Sequence, residues 1–201
     1  MEKKENKKAN TEYDIHEIIQ ERWSPRSFSV REIKPELIRK LFDATRWAPS
    51  SFNEQPWRFI YARKEEPEQF EKLYRVMGEF NQNWAGDAPM LILTILKEKF
   101  SKNSKPNRVA KFDLGAAMAY FTFEATRHDL YVHQMAGIDQ EKARKIFDIP
   151  EGYKAVTMAA VGYKGVPDDL EGDLRETEVS VRTRKDIDEI AFQGEWKGDK
   201  N

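Results

Sequence analysis

The chain has no cysteine, which removes disulfides, thiolate metal ligands, iron–sulfur clusters and cysteine nucleophiles from consideration. It also lacks an excess of charge of either sign, with 34 basic residues against 35 acidic ones. That balance argues against a general nucleic-acid binder, whose electrostatic footprint is strongly basic. No apolar run approaches the roughly 20 residues of a membrane helix. The opening segment Met1-Glu2-Lys3-Lys4-Glu5-Asn6-Lys7-Lys8 has no apolar stretch of the signal-peptide kind. Residues 1–13 are therefore expected to be a disordered or frayed tail, and the expected compartment is the cytoplasm. Familiar catalytic signatures are missing too. There is no Walker A sequence, no GxGxxG after a predicted strand and no Gly-x-Ser-x-Gly elbow. His16, His128 and His133 have no metal-ligand spacing, and Asp168 and Asp169 lie in a solvated acidic run.

Hydrophobic residues make up 39% of the 201 positions and aromatics 12%, enough for one real core and too short for two. A single domain over residues 14–201 is expected. Ile15, Ile18 and Ile19 fall at helical spacing, as do Leu37, Ile38, Leu41 and Phe42 behind Pro35, which suits a first helical turn. Pro25 biases Ser24 away from the α region, so Ser24 to Val30 reads as an extended connection. Residues 58–62 and 155–163 read as strands, and Met90-Leu91-Ile92-Leu93-Thr94-Ile95-Leu96 as a strand covered on both faces. Helices are expected over 67–80, 112–127 and 139–147, with residues 97–110 as a loop or short lid. The helix at 112–127 is apolar nearly all round, with Gly115, Ala116, Ala117 and Ala119, which suits either a central core helix or a subunit interface. Strands separated by helices make a three-layer sandwich the leading architecture.

Two segments stand out chemically. Arg22-Trp23-Ser24-Pro25-Arg26-Ser27-Phe28 offers forked cationic donors and a hydroxyl, and Arg182-Thr183-Arg184 repeats the pattern, a donor set suited to phosphate. Each alone is also what a solvated surface looks like. The loop Pro49-Ser50-Ser51-Phe52-Asn53-Glu54-Gln55-Pro56-Trp57 mixes hydroxyl and amide groups, as a heterocycle with alternating donor and acceptor edges requires. Turn capping by the same residues is an equal alternative. Trp84 and Phe80 suit either the core or an open stacking face.

Taken together, these segments are similar to motifs of the nitroreductase family. The first resembles its opening Arg-x-Ser-x-Arg/Lys-x-Phe, and Ala48 to Trp57 resembles its Ala-Pro-Ser-Ser-x-Asn-x-Gln-Pro-Trp loop. Asn81 ahead of Asp87-Ala88-Pro89, Gly137-Ile138-Asp139 and Ile149-Pro150-Glu151-Gly152-Tyr153 follow in order, and Arg182 and Arg184 fall at the C-terminal basic pair. The resemblance covers roughly residues 14–186. It implies an α+β, three-layer α/β/α fold with a central mixed sheet, and a cytoplasmic homodimer binding FMN at the subunit interface. Hydride would come from NADH or NADPH, and a nitroaromatic, quinone or similar flat acceptor would be reduced in a ping-pong cycle. Dehalogenation, dehydrogenation, flavin breakdown and non-catalytic flavin binding are the alternatives on the same fold. Arg22, Trp23, Ser24, Arg182 and Arg184 would hold the phosphate and ribityl end, Arg26 the pyrimidine edge, and Asn81 and Gly137 the ring or ribityl of the same subunit. Pro49, Ser50, Ser51 and Asn53 would reach the partner's flavin. Trp84 and Ala136 stand where some relatives have a lysine and a glutamate, which places more of the positive charge near the flavin N1/O2 edge on Arg26.

Overall fold

The computed structural model describes residues 7–198. Four strands, β1 (Trp57–Arg63), β2 (Met90–Lys97), β3 (Leu130–Met135) and β4 (Tyr153–Tyr163), form one sheet in the order β1-β2-β4-β3. Seven α-helices among the described residues surround it: α1 (Glu17–Glu21), α2 (Pro35–Thr45), α3 (Pro67–Tyr74), α4 (Glu79–Ala85), α5 (Ala110–Arg127), α6 (Gln140–Ile146) and α7 (Gly172–Val179). Alternation along β2 sends Leu91 and Leu93 to one face, where they meet Phe70 and Leu73 of α3, Trp84 of α4 and Ala143 of α6. Met90 and Ile92 go to the other, against Ile38 and Leu41 of α2 and Met118 and Phe121 of α5. The result is helix, sheet, helix, the α+β sandwich expected.

The pairing differs from the expected mixed sheet, because all three strand contacts are antiparallel. The reason lies in the connections. The helix α5 is a crossover that leaves β2 and β3 pointing the same way, as parallel strands require, but β4 then inserts between them and runs against both. Two further boundaries move. The expected helix 67–80 stops at Tyr74, where the chain turns so that Gly78 N donates to Gly137 O (2.9 Å) and Asp139 N to Val76 O (2.9 Å); α4 then restarts behind Gly78. The sequence pattern does not announce β3, whose His133 and Gln134 dilute its apolar alternation.

Residues 1–6 of the expected tail lie outside the described residues. From Lys7 onward it is tied down: Ala9 N donates to Gln20 O at 2.8 Å, and Arg182 Nη1 to Lys7 O at 2.6 Å. Downstream, Ser29 N donates to Tyr163 O (2.9 Å) and Gly165 N to Ser27 O (3.0 Å), so the segment after Arg26 is stitched to the end of β4. A side chain at position 165 would put Cβ 2.3 Å from Ser27 Oγ and 2.8 Å from the Phe28 backbone, which is why only glycine permits this approach. No helix among the described residues is long and apolar enough to cross a membrane.

Candidate functional site

The short helix α1 ends at Arg22, and the residues beyond it lie extended. Arg22 Nη1 donates to Ser24 Oγ at 3.3 Å, while the C-terminal stretch brings Arg182 and Arg184 alongside. These arginines crowd one another. The Arg22 guanidinium sits below its ordinary pKa, first through burial and then through the charges of Arg182 and Arg184. Arg182 is lowered in the same way, by burial and by Arg184. A cavity of about 720 Å³ opens here, lined by Arg22, Arg182, Thr183 and Arg184 together with Glu12 and Asp186. Among the described residues none of the three arginines is in an ion pair with those carboxylates. Three neighbouring cations without a counter-ion are a standing request for an anion. Trp23 is buried and packs edge-on to Tyr131 at 6.0 Å, so it supports the segment from below.

Arg22 and Ser24 also line a smaller cavity of 230 Å³ whose far wall is His133 and Gln134 of β3 and Thr122 and Phe123 of α5. From His133 a chain of contacts runs on to the other expected residues. His133 Nδ1 lies 2.9 Å from Pro25 O; a carbonyl can only accept, so Nδ1 carries the proton. Its ring meets Trp84 at 4.4 Å, and the Arg26 guanidinium lies 5.9 Å from the Trp84 ring centre. Three residues earlier on α4, Asn81 Nδ2 donates to Gly137 O at 3.3 Å. A Cβ on Gly137 would stand 3.0 Å from that same nitrogen, so the lack of a side chain lets the Asn81 amide approach this closely. Two buried donors, Arg26 Nε and Trp84 Nε1, have no partner, and unsatisfied buried donors are uncommon enough to mark a place where something binds. Trp84 is core, only 1% exposed, whereas Phe80 is 61% exposed at the start of α4.

The third expected segment lies elsewhere in the chain. Residues 49–53 sit at the start of α5, with Ser51 N donating to the buried Asp113 carboxylate at 3.2 Å. Ser50 Oγ accepts from Gln55 N (3.0 Å), and Asn53 Oδ1 from Gln55 Nε2 (3.1 Å). Phe52, Asn53 and Gln55 hold φ of 53°, 55° and 49°, a left-handed run that costs non-glycine residues energy. Phe52 is nevertheless 93% exposed. Neither cavity lined by Arg22 touches Pro49, Ser50, Ser51 or Asn53, so one subunit assembles the arginine, Asn81 and Gly137 parts but leaves this loop apart from them.

Two residues of consequence escape sequence reasoning. Glu178 of α7 is buried and accepts from Arg26 N (2.9 Å) and Ser27 N (3.2 Å), fixing the Arg26 turn from 152 positions away; nothing local in a polar helix signals it. Asp113 is the one acid near the start of an apolar helix, and that contrast is a readable signal.

A sequence model described as the nitroreductase family matches residues 19–79 and 63–163. A crystal structure of an oxidoreductase containing FMN superposes with a TM-score of 0.87 at 32% identity, covering 94% of this chain and 96% of that one. An uncharacterised 15.4 kDa protein of Mycolicibacterium smegmatis is 32% identical over 114 residues, 57% of this chain and 76% of its own length. A Streptomyces coelicolor protein, provisionally named an NADH dehydrogenase/NAD(P)H nitroreductase, is 24% identical over 167 residues, 74% of this chain and 84% of its own.

Proposed function

The chain belongs to the nitroreductase family, and from that premise we propose that it is an FMN-dependent oxidoreductase drawing hydride from NADH or NADPH and reducing a flat acceptor such as a nitroaromatic or quinone. The observation that carries the reading is the trio Arg22, Arg182 and Arg184 gathered at a cavity of 720 Å³, where burial and the charge of Arg184 lower the pKa of Arg22 and Arg182. The residues fit the group. A phosphate would relieve the crowding of the three guanidiniums, Gly137 lets the Asn81 amide come close where a Cβ would stand 3.0 Å from it, and Arg26 Nε and Trp84 Nε1 are donors awaiting an acceptor.

When bound, FMN supplies the hydride acceptance and onward electron delivery that no side-chain constellation here provides. The work of the chain is to position and polarise. Arg22, Ser24, Arg182 and Arg184 hold the phosphate end, Asn81 presents an amide, and Arg26 supplies the positive charge near the ring that Trp84 cannot. Neutral His133 braces Pro25 and so keeps the Ser24–Arg26 stretch in place. In the proposed ping-pong cycle the donor and the acceptor would use the same site in turn.

The assembly belongs to the same reading. A second copy would bring Pro49, Ser50, Ser51 and Asn53 to its partner's flavin, and the strained, exposed Phe52 loop together with Phe112, Tyr120 and Phe123 left uncovered on α5 supports a dimer. Anaerobic mixing of the purified protein with NADH and, separately, NADPH is expected to bleach the visible absorbance of a bound flavin, which a nitroaromatic or quinone then restores. A flavin that no nicotinamide bleaches would defeat the reductase reading. Arg22→Ala and Arg184→Ala should each weaken FMN binding by roughly ten- to a hundredfold, measured by fluorescence titration; unchanged affinity in both would remove the arginines from the site.

A further inference from the structure

A second polar cavity, of 530 Å³, lies at the other end of α5 from the His133 pocket, between the end of β2 and the start of the helix. Lys99, Arg108, Lys111 and Lys154 line it, opposed by a single carboxylate, Glu98. Among the described residues none of these four cations is engaged in an ion pair. Asn107, also in the lining, is only 6% exposed. Its Oδ1 accepts from Val109 N at 3.2 Å, which fixes the amide orientation, and its Nδ2 is buried with no partner. A buried donor of this kind among uncompensated cations is what a bound anion would satisfy. The N-cap of α5, Val109, adds no side-chain capping bond, so the helix contributes its own partial positive charge to the same place.

The cavity adjoins the loop that the proposed dimer presents to a flavin, because its lining residues Glu98 and Lys99 lie between Lys97 and Ser101, both bonded to Glu54 of that loop. Lys97 Nζ donates to Glu54 Oε1 at 3.2 Å, and Ser101 N donates to both oxygens of the same carboxylate at 3.0 Å. The stretch that carries Glu98 and Lys99 is thereby fastened to the Ser50–Gln55 loop, while Asp113 fastens that loop to α5.

We propose that this cavity receives the 2′-phosphate of NADPH, making NADPH the preferred donor over NADH. The assignment rests on the donor class proposed above. Four cations against one acid suit a phosphate monoester dianion, the group that NADPH has and NADH lacks. Arg108 supplies the forked donor, Lys99, Lys111 and Lys154 supply point charges, and Asn107 adds a neutral amide to the same lining.

The test uses the oxidised nucleotides, so binding is read without any redox step. Calorimetric titration of the FMN-loaded protein should show NADP⁺ binding roughly tenfold or more tightly than NAD⁺, a preference that falls as salt is raised. Arg108→Ala combined with Lys111→Ala should remove the preference while leaving NAD⁺ affinity and flavin content as they were, and Lys111→Arg should retain it. Inorganic phosphate should compete with NADP⁺ and not with NAD⁺. Equal affinities for the two nucleotides in the unaltered protein, or a preference that survives the double substitution, would overturn the assignment. Phosphate binding without NADP⁺ competition would also overturn it, leaving an anion site unrelated to the donor. The outcome is separable from the reductase reading: bleaching by NADH and NADPH alike with no NADP⁺ preference sinks only this inference, and NADP⁺ preference without bleaching sinks the reductase reading and the donor role while leaving the phosphate site standing.

Discussion

The imidazole of His133 is held neutral by its surroundings. Burial, with the Arg26 charge as a smaller contribution, lowers its pKa to about 4, against the opposing effect of the bonds to the Pro25 and Ser24 backbone. The sign of the consequence follows from linkage. An unfolded histidine takes up its proton as pH falls through about 6.5, while the folded protein resists until near pH 4. The stability that accompanies a neutral His133 is therefore complete above about pH 6.5 and is lost progressively as pH falls toward 4. We expect the unfolding free energy of the wild type to drop relative to that of His133→Asn by up to about 3 kcal/mol between pH 7 and pH 4.5, read from urea titrations at each pH. A difference that stays flat across this range would show that His133 titrates normally. The sequence gives His133 no metal spacing and so points to a satisfied role; that its partner is Pro25 O, 108 positions away, no local pattern encodes.

At the scale of elements, α7 acts as a strut for the Arg26–Ser27 stretch. Its buried Glu178 accepts from the Arg26 and Ser27 amides, and those donors have no other partner to turn to if the carboxylate goes. Glu178→Ala should cost about 2–4 kcal/mol, because it leaves buried N–H groups unsatisfied, and FMN affinity should fall with it as Arg26 loses its fixed turn. Glu178→Gln keeps one acceptor oxygen and should recover part of both, as measured by urea midpoint and flavin titration. If the alanine variant is as stable as the parent, the strut is not structural. The β2–α5–β3 crossover shows the same dependence on distant partners. Helix and strand periodicities are legible along it, yet the insertion of β4 between β2 and β3 is decided by which edge β4 can pair with.

For the whole molecule, the apolar surface of α5 is the consequential feature. Phe112 is 79% exposed, and Tyr120 and Phe123 are uncovered on the same helix as Gly115, around which there is open space; exposed apolar side chains of this kind are what the proposed dimer would cover. We expect sedimentation velocity to find a dimer, and Phe123→Arg to convert it to a monomer that loses FMN, since each site would lack its neighbour's Pro49–Asn53 loop. A wild-type monomer that retains flavin would defeat the shared-site arrangement. By itself the sequence determined the α+β layering, most strand and helix positions, and the residue types that gather at the site, because periodicity, proline placement and donor chemistry are local properties. Only the tertiary structure decided that the sheet is antiparallel throughout, that Lys7 to Ala9 pack against Arg182 and Gln20, and that Arg22, Arg182 and Arg184 meet while residues 49–53 stand apart. Those outcomes depend on pairings between segments up to 175 positions apart, and the free energy of such contacts is set by the geometry of both partners, which neither segment carries alone.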